Sequence, residues 1–380
     1  MEILDIIDTS IYKNIDIKTF QKILDESLTT SYKILWFKGI LEEIEEGRRE
    51  ILFEDIVIRM IVNAWFPIVQ YKLSFGKTDK IKDIIEELVE RFNITSDIKK
   101  DKLLELLQKN KFDLKDEVKK LCRFVPFRLL SPFYKSNLKG TDYEKQKQIE
   151  YLNSIDEHPL YRIDFSNNKI RVIDDEWFCY LYSNQKLIKE WSNYKYINYL
   201  QRKNLSIPAI PFKLDFVTKR ELSNATKVWK TFLQEEIYFD IYTREKNSID
   251  LMSLDHYIPW SFVLHDALWN LVPTLKNINS SKNDKLPNLD ETLDLFCELQ
   301  FEFVSWLIKN KGKYKKVLEE YLDIDINILD DNFSKIEFIK KLRETIIPLH
   351  QIANNQGFEI WESSNYIDKL KEKEISKIEE

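Results

Sequence analysis

The 380-residue chain is predicted to fold as a mostly α-helical α+β protein of several domains with a small β-hairpin region. Three observations predict this. Six glycines and ten prolines stand against an abundance of Lys, Glu, Ile and Leu, which favours helix interiors over turns. Apolar residues recur at helical spacing through most of the chain, and only after Tyr151 does the pattern switch to alternation. The length exceeds what one hydrophobic core usually serves, so the chain is expected to divide. The expected divisions are a helical region at 1–150, a mixed and basic connecting region at 151–236, a compact chemistry-bearing segment at 237–290 and C-terminal helices at 291–380.

Taken in order, TSYKILWFKGILEEIEEG places Ile34, Phe37, Leu41 and Ile44 on one helix face, with a Thr/Ser pair near the start and Gly47 at the end. FEDIVIRMIVNAWFPIVQYKLSFG is apolar nearly all round, as in a central helix, and Pro67 is placed to kink or stop it. Helices are expected at Lys80–Phe92, Lys100–Lys109 and Leu114–Phe124. YRIDFSNNKIRVIDDEWF alternates on both sides of Asn167-Asn168, which predicts a hairpin with an Asn-rich turn. The prolines of SIPAIP favour extended backbone. Helical pattern returns at Ser223–Gln234, then beyond Asp290 through Ile308, Val317–Leu322 and Ile336–Ala353. The tail KLKEKEISKIEE reads as a charged, frayed helix.

Composition also excludes classes. Cys122, Cys179 and Cys297 lie far apart with no CxxC pair, which gives no support to a cysteine zinc site or disulfide framework and suits a reducing cytoplasm. The N-terminus MEILDIIDTS has acidic residues where a secretory signal carries lysines. The longest apolar run, Ile56 to Val69, is too short to span a bilayer, so no membrane partner is expected. A net charge of −6 argues against indiscriminate nucleic-acid binding, yet residues 184–230 hold ten Lys/Arg against Glu190, Asp215 and Glu221. There Trp191, Tyr194, Tyr196 and Tyr199 interleave with lysines, as on a single-strand binding surface or on a solvated helix face over an aromatic core.

The segment SLDHYIPWSFVLHDALWNLVPTLKNINSSKNDKLP concentrates chemistry. It holds two of the chain's four histidines, an adjacent Asp-His pair at the end of the strand-like run IDLMSLDHY, and spaced asparagines. Such residue types suit metal-assisted phosphodiester hydrolysis, which needs a base for water, a cation for growing phosphoryl charge, and a frame. Neighbours on a strand point to opposite faces, so Asp255 and His256 must divide the work.

The order DHYIP, WNLVP, NINSSK resembles the HNH endonuclease motif of the ββα-metal fold, most similar to the HNH domain of RNA-guided CRISPR nucleases. The likeness covers roughly a tenth of the chain. It implies an embedded ββα-metal HNH module, with His256 as general base and Asp255 and Asn279 as ligands of one divalent cation, Mg²⁺ or Mn²⁺. Asn270 would brace the loop and orient the histidine, and Lys282, at i+3 from Asn279, would reach a phosphate. The upstream stretch IYFDIYTREKNS has none of the paired cysteines of zinc-bearing relatives, so no structural zinc is expected; Tyr238, Phe239 and Tyr242 would fill that space by packing.

The resemblance implies a cytoplasmic enzyme acting on DNA, in bacterial defence against phage or foreign DNA, acting as a homo-oligomer or with a defence-system partner subunit. A catalytically silent nucleic-acid-binding or partner-regulated scaffold, or a mobile-element nickase, are the alternatives. His265 matches no catalytic position; it reads as a substrate contact, a loop-positioning residue or, with Asp266 beside it, a polar surface residue. His158 reads as a turn residue and His350 as packing in a helix, while Trp260, Trp269 and Leu271 are expected in the module's core.

Overall fold

The computed structural model describes residues 3–25, 28–215, 220–246, 249–329 and 333–364. The KLKEKEISKIEE tail, and Lys219 of the basic stretch, lie outside the described residues. The chain separates into two compact units, residues 1–205 with 210–216 and residues 206–209 with 217–380.

The first unit is built on a helical hairpin. After the single turn α1 (Ile17–Phe20), α2 (Tyr32–Glu45) and α3 (Phe53–Val69) approach so closely that a Cβ on Gly39 would stand 2.9 Å from Ile56 Cγ2 and 3.0 Å from the Ile56 carbonyl oxygen. Only a residue without a side chain allows that approach. α3 is buried around nearly its whole circumference, and its two buried polar residues are answered from α2. Arg59 Nε donates to Glu43 Oε1 at 2.8 Å and Asn63 Nδ2 to Glu42 Oε1 at 2.9 Å. Pro67 falls in the last turn, where its ring removes one ladder donor, and the helix ends two residues later at Val69.

Further along stand α4 (Ile81–Phe92), α5 (Lys100–Lys109), α6 (Lys115–Cys122), α7 (Val125–Tyr134) and α8 (Asp142–Ile155), the first three where the periodicity placed helices. α8 opens on a capping box in which Thr141 N donates to Glu144 Oε2 at 2.7 Å. The expected hairpin pairs two strands antiparallel, with Asn168 in the turn at φ 49°. A strand before α3, β1 (Glu50–Leu52), joins them; the hairpin strands are β2 (Arg162–Asp164) and β3 (Lys169–Arg171), in the order β1-β3-β2. Three residues are too few to show alternation in sequence, and β1 is held partly by a cross-strand charge, Lys169 Nζ to Glu50 Oε2 at 2.8 Å.

α9 (Asp175–Ser183), capped by Asp174, precedes α10 (Gln185–Lys203). Trp191, Tyr196 and Tyr199 are buried, Tyr194 alone of the four is 51% exposed, and Lys189 and Lys195 pair with Glu45 and Asp25. These aromatics form a core seam beneath a charged helix face and offer no row of rings to bases.

The second unit begins with α11 (Ser223–Glu235), whose Trp229 stacks on Phe303 with centroids 3.7 Å apart. β4 (Met252–His256) and β5 (Leu271–Leu275) pair antiparallel, with Asp255 opposite Val272 and His256 opposite Leu271. The connecting loop carries the short α12 (Trp260–Val263), and α13 (Lys276–Lys282) follows β5 directly. The order is therefore strand, strand, helix. Next come β6 (Leu286–Pro287), α14 (Leu289–Lys309), α15 (Lys311–Leu318) and α16 (Lys335–Asn355); β7 (Ile360–Trp361) then returns to pair parallel with β6. Tyr257 stacks on Phe296 of α14 at 3.9 Å, while Trp260, Trp269 and Leu271 are buried as expected. His350 is buried in α16, its Nε2 2.9 Å from the Pro287 carbonyl.

Among the described residues, no helix is long and apolar enough to cross a membrane. Cys122 and Cys297 are buried and Cys179 is exposed, all as free thiols.

Candidate active site

The pleat of β4 divides its last two residues as the alternation requires. Asp255, only 2% exposed, turns toward α13. Tyr242 Oη donates to Asp255 Oδ2 at 2.6 Å, and Lys282 Nζ lies 3.0 Å from Oδ2 and 3.2 Å from Oδ1. His256 turns the other way, where its Nε2 meets Asp266 Oδ1 at 2.8 Å. A carboxylate can only accept, so Nε2 carries the hydrogen, and in the neutral ring Nδ1 holds the lone pair. The hydrogen bond from His256 holds the Asp266 carboxyl below the usual carboxylate range, and Glu221 N donates to its second oxygen at 3.3 Å.

The two asparagines are fixed in different ways. Asn270 is fully buried and clasps the backbone of Ile258: its Oδ1 accepts from Ile258 N at 2.9 Å and its Nδ2 donates to Ile258 O at 2.9 Å. Tyr257 N also donates to the Asn270 carbonyl at 2.8 Å, so the loop just past His256 is pinned to the start of β5. On α13, Asn279 Nδ2 donates to Leu254 O at 2.9 Å and to Ser253 Oγ at 2.8 Å. A carbonyl oxygen demands a donor, which settles the amide orientation and leaves Asn279 Oδ1 without a hydrogen bond among the described residues.

Lys282 departs from the sequence expectation. Instead of reaching outward to a phosphate it is 0% exposed, and besides Asp255 it donates to the His256 carbonyl at 2.8 Å. The reason is geometric: α13 starts immediately after β5 and lies along β4, so the residue one turn beyond Asn279 faces the strand. A buried carboxylate needs a countercharge, and Lys282 supplies it.

Two residues were missed as contributors. Asp266 reads in sequence only as a neighbour of His265, though an acid in the loop between the two strands is a place to look for a partner of His256. Tyr242 reads as packing, yet burial, and then the Asp255 carboxylate, push its hydroxyl well above the usual tyrosine range and keep it a donor. Of its neighbours, Tyr238 is buried and Phe239 is 57% exposed. Asp240 ties this segment into a turn, accepting from Tyr242 N at 2.8 Å and Thr243 N at 3.0 Å and from the Thr274 hydroxyl. His265 stands against the Trp269 ring at 5.0 Å, its Nδ1 accepting from Ala267 N at 3.3 Å; burial lowers its basicity. His158 sits after α8, its Nδ1 2.7 Å from Asp174.

Among the described residues no group of three or more His, Cys, Asp or Glu side chains is arranged to hold a metal. The hard oxygens of Asp255 and Asn279 fit a cation that takes few protein ligands and completes its shell with water and substrate oxygens. Three donor contacts already fall on Asp255, out of about four lone-pair directions on a carboxylate, which leaves room for a single coordination bond.

Residues 240–288 match the family model described as HNH endonuclease. No curated protein and no solved structure matches the chain significantly. The matched stretch runs from the Asp240 turn through β4, β5 and α13 to Asn288, and the chain therefore carries an HNH endonuclease module.

Proposed function

We propose that the protein is a metal-dependent endonuclease that hydrolyses DNA phosphodiester bonds in the cytoplasm, with His256 as general base and Asp255 and Asn279 as ligands of one Mg²⁺ or Mn²⁺. The observation that carries this reading is the contact of His256 Nε2 with Asp266 Oδ1 at 2.8 Å, which supports Nδ1 as the proton-accepting atom. Water gives its proton to Nδ1, its oxygen bonds to phosphorus, and the bond from phosphorus to the 3′ oxygen breaks with its electron pair on that oxygen, which takes a proton from solvent water, leaving a 5′-phosphate and a 3′-hydroxyl. Asp266 faces the positive charge that forms on the imidazole. Asn270 holds the loop beside the base, and Lys282 holds both the Asp255 carboxylate and the His256 carbonyl in place. A divalent cation at Asp255 and Asn279 would supply Lewis-acid stabilisation of the phosphoryl and leaving oxygens.

One centre cuts one strand per engagement, so a double-strand break calls for two copies or two visits. The biological setting we propose, on the family resemblance, is defence against phage or foreign DNA. The test is supercoiled plasmid incubated with purified protein or His256→Ala in Mg²⁺, Mn²⁺ or EDTA. Metal-dependent nicking abolished in the variant supports the reading, and equal nicking by both proteins refutes it. A second reading, a catalytically silent scaffold, is favoured by one observation: the Asp255 carboxylate already has Lys282 as countercharge. Metal binding to the wild type with no cutting of any nucleic acid would favour it.

A further inference from the structure

The first unit carries three hollows, of about 400, 800 and 360 Å³, around α6, α7 and the start of α8. They adjoin: Gln146 lines the first and second, Lys120 the second and third, and Lys33, Phe124 and Arg128 the first and third. Eight Lys/Arg side chains line them against two acids, Glu54 and Asp142. In a chain of net charge −6, that local excess runs against the average. Arg128 meets Asp142 at 2.7 Å, but Lys115, Lys119, Lys120, Arg123, Lys135 and Lys145 form no ion pair among the described residues.

We propose that this linked basic track binds the phosphate backbone of a nucleic-acid strand, as a second contact separate from the residues of the HNH module. The choice of nucleic acid as the polyanion rests on the endonuclease reading; the charge of the track does not. Its layout favours a chain of phosphates over one small anion. Lys115 and Lys119 of α6, and Arg123 capping its end, recur every fourth residue, with a rise of about 6 Å from one to the next. The cations are thus spread along a line and do not converge on one point. Two guanidinium groups stand over the Phe124 ring, Arg123 at 4.8 Å and Arg128 at 4.9 Å from its centroid, which holds both charges beside the hollows.

The basic stretch singled out in sequence, residues 184–230, is a different region: there Lys189 and Lys195 are spent on acids of the same unit. At α6 the sequence KDEVKKLCRF looks like an ordinary amphipathic helix, and the adjoining hollows become visible only when α7 and α8 are packed beside it.

The test uses the full chain in EDTA, so that binding is read without cutting, with short fluorescein-labelled duplex and single-stranded DNA followed by anisotropy over a salt series. Lys115→Gln/Lys119→Gln/Arg123→Gln is compared with wild type and with a charge-matched control, Lys13→Gln/Lys18→Gln/Lys22→Gln. Each lost duplex phosphate contact removes about 0.9 from the slope of log affinity against log salt. The track variant is expected to lose about 2.7 in slope, so that going from about 50 to about 200 mM salt weakens wild type about 40-fold more than the variant. The control keeps the wild-type slope, and circular dichroism reports whether each variant is folded. Equal slopes for wild type and track variant, no binding of either DNA by wild type, or displacement of DNA by micromolar inorganic pyrophosphate would each overturn the proposal. Plasmid cutting is scored separately: a chain that cuts while the track variant binds like wild type refutes the track alone, and DNA binding through the track without cutting refutes only the endonuclease reading.

Discussion

Lys282→Met is the sharpest probe of the module, because the lysine is wholly buried and its partner Asp255 is 2% exposed. Removing one member of a buried ion pair leaves the other charge uncompensated, at a cost of about 3–5 kcal/mol. Tyr242 would still donate to Asp255 Oδ2, but the contacts at 3.0 and 3.2 Å from Nζ and the bond to the His256 carbonyl would be gone. In a folded unit of this size, 1 kcal/mol moves Tm by about 2–4 °C, so a fall of about 6–20 °C is expected. Thermal and urea unfolding in EDTA measure it, and the cycle closes with Asp255→Asn and the double variant. Asp255→Asn/Lys282→Met should recover most of the loss, since no buried charge remains. Mn²⁺ should stabilise Lys282→Met more than wild type, because the cation then replaces the missing positive charge; calorimetry without DNA reads the affinity directly. A single variant within about 1 kcal/mol of wild type, or a double variant as unstable as the sum of the singles, would refute the coupling of this pair.

The other expected outcomes follow from the same geometry. Asp266→Asn presents an amide that can donate to His256 Nε2 and so favours the tautomer with a hydrogen on Nδ1; kcat should fall by between about 10²- and 10⁴-fold with Mn²⁺ binding unchanged, as single-turnover cleavage and calorimetry would show. Unchanged kcat would remove Asp266 from the mechanism. Asn270→Ala leaves the buried N–H and C=O of Ile258 unpaired and should lower stability by about 2–5 kcal/mol in urea titrations; a loss under about 1 kcal/mol would mean that water or the backbone replaces the clasp. The Asp240 carboxyl is pushed above the usual carboxylate range, chiefly by burial. Its ionisation therefore opposes folding above the folded-state pKa, and that penalty disappears below the unfolded one. Asp240→Asn should gain Tm over wild type near neutral pH, with the gap closing as pH falls from the folded-state pKa towards the unfolded one; a gap that does not change with pH would refute the sign.

What was readable in the sequence follows a physical pattern. α3 declared itself by apolar residues on every side, α6 by its spacing, and the β2–β3 turn by Asn167-Asn168. The HNH-like order of DHYIP, WNLVP and NINSSK was legible because it stands in one continuous stretch. β1 was not, since three residues carry no period and the strand exists only because β3 offers it an edge. Nor was the fate of Lys282: helical spacing gives the angle between residues on α13, but which side of the helix meets β4 is set by the packing of the whole module. Asp266 shows the same limit, because a contact between residues ten positions apart depends on how the loop between them returns.

The return of the chain at β7 bears on how far the module could be transplanted. Trp361 packs edge-on against Tyr242 at 5.3 Å, its Nε1 donates to Ser281 Oγ at 3.2 Å, and Leu286 N donates to Glu359 O at 2.8 Å. Tyr242 in turn holds Asp255. The 49 residues recognised as a family unit are thus buttressed by a strand more than seventy positions downstream. A graft cut at the edges of the family match would leave behind the wall against which Tyr242 rests, and a lesion near residue 361 would be felt at a carboxylate it never touches. Here the stretch that the family model matches is shorter than the stretch that packs together.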